Sequence, residues 1–92
     1  MGSPLVDKVR NILLKANKAV AGKYTYSSKE RRNDSKELKK NLNNIEKNLG
    51  HTRMFNQIEP LVNSLSAELD KGDLAVRMTN VQNYCQTLYQ YL

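Results

Sequence analysis

An all-α fold, a small antiparallel bundle of four helices, is predicted by three features of the sequence. Apolar residues recur at spacings of three and four along four segments. Single glycines, Gly22, Gly50 and Gly72, stand where those segments run out. Cap-forming residues stand where they begin. The predicted helices span about 4–22, 28 or 34 to 49, 53 or 57 to 71, and 73–92.

The first helix opens at Pro4, behind Ser3 as cap, and carries Leu5, Val9, Ile12, Ala16 and Ala19 on one face. Asp7 lies early, and Lys15 and Lys18 late, as the helix dipole prefers. Residues 23–28, KYTYSS, form the main loop. Two S/D-x-x-E patterns follow, Ser27 to Glu30 and Asp34 to Glu37, so the second helix starts near 28 or near 34. The run ERRNDS offers nothing apolar to bury, and Ser27, Ser28 and Ser35 read as caps. From Leu38 a narrow stripe continues through Leu42, Ile45 and Leu49, with Lys36, Lys39, Lys40 and Lys47 outward.

Thr52 is the predicted cap of the third helix, whose stripe is Ile58, Leu61 or Val62, Leu65 and Leu69. Pro60 argues either for a main helix beginning near Gln57 or for one kinked helix, because an interior proline costs about 3 kcal/mol. A tight turn at Lys71-Gly72-Asp73 predicts a hairpin, with Gly72 in the left-handed region and Asp73 capping the last helix. Leu74, Met78, Val81, Cys85, Leu88 and Leu92 form that helix's seam.

Ninety-two residues suit one domain, taken as 4–92, with residues 1–3 reading as a cloning remnant. The single cysteine excludes an internal disulfide. No apolar run reaches the roughly eighteen residues of a membrane span, and the expected setting is cytoplasmic or nuclear. Net charge is +6, unevenly spread. Residues 1–50 carry twelve Lys or Arg against five acids, whereas residues 51–92 carry three against four. That asymmetry suits an acidic partner: nucleic acid, an anionic membrane surface or an acidic protein. Its plainer meaning is solubility.

Catalysis finds little support. His51 is the only histidine and sits in a connection, without a cysteine or paired carboxylate to form a relay. Cys85 falls on the seam, where a thiol acts as a small hydrophobe. No metal-ligand spacing and no phosphate-cradling glycine loop occurs, so no catalytic residue, metal or cofactor is expected, and no small-molecule substrate. The expected function is a non-enzymatic protein–protein interaction or assembly module excised from a larger intracellular protein. Its candidate contact residues are Phe55, Tyr84, Tyr89, Tyr91 and Leu92, facing another protein or a second copy of the chain. The alternative is an RNA-binding domain using Lys23, Tyr24, Tyr26, Arg31, Arg32, Lys36, Lys39 and Lys40. There aromatics would stack on bases and cations would neutralise phosphates.

The order of segments resembles the C-terminal helical domain shared by the outer COPII coat protein and the steroid receptor RNA activator protein. The matching stretches are Asp34-Ser35-Lys36-Glu37-Leu38 through Leu42 and Ile45, then Ile58 to Leu69, then Gly72-Asp73-Leu74-Ala75. The resemblance covers most of the chain and implies a protein-interaction module without catalytic residues. That family usually has a fifth helix, where this sequence stops after the fourth.

Overall fold

The computed structural model describes residues 3–92, with Leu49 defined by its backbone alone. Met1 and Gly2 of the expected remnant, and the Leu49 side chain of the expected stripe, lie outside the described residues. Four helices follow one another: α1 (Pro4–Val20), α2 (Ser28–Leu49), α3 (Arg53–Leu69) and α4 (Met78–Tyr89). Each packs on its neighbours in sequence, and α1 closes the ring against α4.

Cross-helix bonds fix the directions. Lys8 and Lys15 both reach Asp34, and Arg31 reaches the Leu69 carbonyl. Asn80 reaches Glu68, and Gln82 reaches Asn17. Late Lys15 pairs with Glu30 and early Lys8 with the later Glu37. The other three pairs join the end of one helix to the start of another, so all neighbours are antiparallel. Connections 21–27 and 70–77 therefore share one end of the bundle, opposite connection 50–52.

Three N-termini match the cap reading. Ser3, Ser27 and Thr52 accept hydrogen bonds from the amides of Val6, Glu30 and Phe55. The Ser27 bond places the start of α2 at 28 rather than 34. Gly22 and Gly50 have φ of 73° and 65°, the left-handed region that ends α1 and α2 without a Cβ clash.

The interior is aliphatic. Leu5, Val9, Ile12 and Ala16 of α1 meet Leu38 and Leu42 of α2, and Ile58, Val62, Leu65 and Leu69 of α3. Val81, Cys85 and Leu88 of α4 complete this core. Phe55, expected at a protein contact, is instead fully buried, with His51 edge-on to its ring. It is the one phenylalanine of the chain, and its burial anchors the first turn of α3. That anchoring and the Thr52 cap let α3 run unbroken through Pro60. Pro60 and Asn56 are both exposed, so the Asn56 carbonyl that Pro60 leaves without a donor can turn to water.

The predicted tight hairpin is corrected. Gly72 does not take positive φ, Asp73 caps nothing, and α4 starts at Met78, five residues later than expected. Arg77 stands at its N-cap without a side-chain bond. Residues 72–76 form a turn in which the Gly72 carbonyl accepts from Ala75 and Val76. Leu74 leaves the seam altogether and is completely exposed, at 106%. Leu92 lies beyond the end of α4 and is also exposed.

Burial pushes the Cys85 thiol up to about 12, from 9.0. The raised value favours the protonated, folded form, so its contribution is fully present below pH 9 and lost as pH rises toward 12. Unfolding free energy should thus fall by about 1.4 kcal/mol per pH unit across that window through this group. Denaturant titrations at pH 8, 10 and 11 check it, since Cys85→Ala should remove that part of the slope.

Candidate functional site

The stretch that lacked apolar residues is bonded inward. Asp34, on the α1-facing side of α2, is buried and accepts from Lys8 at 3.2 Å, from Lys15 at 3.0 Å and from the Tyr26 hydroxyl. Glu37 pairs with Lys8, and Glu30 pairs with Lys15 at 2.7 Å. Burial alone would lower the Lys8 and Lys15 pKa values, but these carboxylates more than reverse it, and both ammonium groups stay charged. Two lysines held charged cannot serve as amine nucleophiles near neutral pH.

Tyr26 is buried, and burial followed by its bond to Asp34 raises its pKa far above the ordinary phenol. Asp34→Ala would strand that hydroxyl inside, while leaving each lysine a second carboxylate. We expect a loss of about 3 kcal/mol in urea unfolding. Glu37→Ala, at a half-exposed partner, should cost under about 0.5 kcal/mol.

Arg31 is 1% exposed. Its Nε donates to the Leu69 carbonyl at 3.3 Å, Nη1 to the Tyr26 carbonyl at 3.0 Å, and Nη2 to the Lys71 carbonyl at 3.2 Å. Nη2 also meets Asp73 Oδ1 at 2.6 Å. One planar fork thus ties connection 21–27 to the C-terminal end of α3 and to connection 70–77. Ser35, read as a cap, is likewise buried, 3.0 Å from Asp70 Oδ2 and 3.4 Å from the Ser66 carbonyl.

Of the eight residues proposed for nucleic acid, Tyr26 and Arg31 are therefore inside, engaged by the fold. Lys23, Tyr24, Arg32, Lys36, Lys39 and Lys40 lie on the surface. The Tyr24 hydroxyl bonds Glu30, and Lys39 lies 3.7 Å from Asp70. Two cations missing from the sequence-based set complete a pattern. Lys29, Arg32, Lys36, Lys40 and Lys47 are all exposed and spaced three, four, four and seven apart, which places them on one outer stripe of α2. The stripe is about 27 Å long at 1.5 Å per residue. Asn33, Asn43 and Asn44 flank it, whereas Glu30, Asp34 and Glu37 turn toward α1. A shallow recess lined by Ser27, Ser28, Lys29, Arg32, Asn33 and Lys36, with Glu30 as its one acid, indents its N-terminal end. The three-four spacing of the five cations was the available signal.

The second candidate surface is more divided. Tyr84 and Tyr89 are half-buried against the core, Tyr89 beside Arg10. Tyr91 and Leu92 are exposed at 39% and 37%. Among the described residues no group of three or more His, Cys, Asp or Glu could hold a metal ion. No helix among them is long and apolar enough to cross a membrane. Comparison with known family models, with characterised proteins and with solved structures returns no match.

Proposed function

We propose that this chain is a non-enzymatic binding module whose outer α2 stripe docks on the backbone of a nucleic acid, single-stranded RNA in particular. The observation that carries the reading is the exposed row of Lys29, Arg32, Lys36, Lys40 and Lys47, none of them in an ion pair among the described residues. Five cations along about 27 Å match the reach of several consecutive phosphates. Tyr24, exposed beside Lys23 on the adjoining connection, offers one ring for stacking. Fluorescence anisotropy of a labelled single-stranded RNA tests it. Micromolar binding at low salt is the expected result, and no binding at low salt would refute the reading.

A protein-interaction role rests on a different observation, the exposure of Tyr91 and Leu92 beside half-buried Tyr84 and Tyr89. The resemblance to the coat-protein and receptor-activator domain favours it as well. We rank it second because Phe55, one of its five expected contact residues, is spent on the core. Tyr91→Ala with Leu92→Ala should then leave RNA affinity intact while weakening any self-association seen by sedimentation.

A further inference from the structure

We infer that the end of the bundle formed by connections 21–27 and 70–77 is a docking tip for an anionic lipid surface, with Leu74 as the inserting side chain. A leucine exposed at 106% makes no contact that the fold uses. It is nonetheless held in a defined place. The Gly72 carbonyl closes the turn beneath it, and the buried Arg31 fork grips the Lys71 carbonyl and the Asp73 carboxylate on its N-terminal side. The same guanidinium holds the Tyr26 carbonyl, so the second connection stands at the same end. There Val20, half exposed, adds apolar surface.

Charge decides the kind of surface. The acids at this end are engaged within the protein: Asp73 by Arg31, Asp70 by Ser35 and Lys39, Glu30 by Lys15, and Glu68 by Lys71. Lys23 and Arg77, both exposed, have no ion pair among the described residues. An aliphatic tip beside uncompensated cations is complementary to lipid, where hydrocarbon accepts the leucine and anionic headgroups accept the cations. A protein receptor would have to supply an apolar cup around a side chain that projects free of its own fold. A bilayer needs no such shape.

The chain has no tryptophan, so Leu74→Trp gives a single indole emitter at the tip. Adding equimolar phosphatidylcholine and phosphatidylserine vesicles should shift its emission to the blue, and pure phosphatidylcholine vesicles should not. Leu74→Asp should lower co-sedimentation with the mixed vesicles by about tenfold or more. It should leave the melting temperature and RNA affinity unchanged, so this test fails or succeeds separately from the α2 reading. Unshifted indole emission from the Leu74→Trp variant overturns the inference. So does co-sedimentation of Leu74→Asp equal to wild type, which would assign lipid adhesion to the α2 stripe alone. Loss of a protein complex in Leu74→Asp without any lipid binding by wild type overturns it in favour of a protein receptor.

Discussion

Arg31→Lys should lower unfolding free energy by about 3–5 kcal/mol, as much as losing a large core side chain. Charge is kept in this variant, so the loss isolates geometry. An ammonium has no planar fork and cannot span the carbonyls of Tyr26, Leu69 and Lys71 together with Asp73. The unbonded carbonyls would stay largely shut from water, each at a cost of about 1–3 kcal/mol less whatever local relaxation recovers. Arg31→Met should be at least as damaging, because it removes every donor. The partner Asp73 is 73% exposed, and Asp73→Asn should cost under about 1 kcal/mol. Urea unfolding followed by circular dichroism measures all three. A wild-type midpoint for Arg31→Lys would show that the carbonyl contacts contribute nothing.

Lys36→Glu combined with Lys40→Glu should weaken single-stranded RNA binding about 25-fold at 0.1 M salt. Each lost phosphate contact accounts for about 0.7 log unit at that salt, and repulsion from the new carboxylates adds to it. Both lysines are exposed and make no ion pair among the described residues, so the melting temperature should hold. Arg31 and the stripe thus separate cleanly: one substitution destroys stability, the other binding. Reversal at Lys8 and Lys15 would not be diagnostic, because both serve Asp34.

Much of the fold was legible where apolar spacing and caps agreed. The α1 face of Leu5, Val9, Ile12 and Ala16 is the observed one, and Ser3, Ser27 and Thr52 cap as their positions imply. What escaped were polar residues that go inside. Arg31, Asp34 and Ser35 look like surface by composition, and their burial depends on partners at residues 8, 15, 66 and 69–73, remote in sequence. Hydrophobic periodicity carries no information about such pairings. The start of α4 failed for a related reason. Leu74 lies four residues before Met78 and so imitates the seam, but Arg31 claims the Lys71 carbonyl and Asp73 and holds the turn short of the helix. On the candidate interface, the charge and the outward side of Lys36, Lys40 and Lys47 were visible, and the spacing of Lys29 extends them. The burial of Tyr26 and Arg31 was not visible, because it depends on partners remote in sequence.

The most direct test of the binding reading is the salt dependence of RNA affinity for wild type against the Lys36→Glu/Lys40→Glu variant. Five engaged cations predict a wild-type slope of log K against log salt near about −3.5, and the variant should be shallower by about 1.4 or more. Equal slopes for the two proteins would mean that the α2 stripe does not meet the phosphates, and would contradict the account.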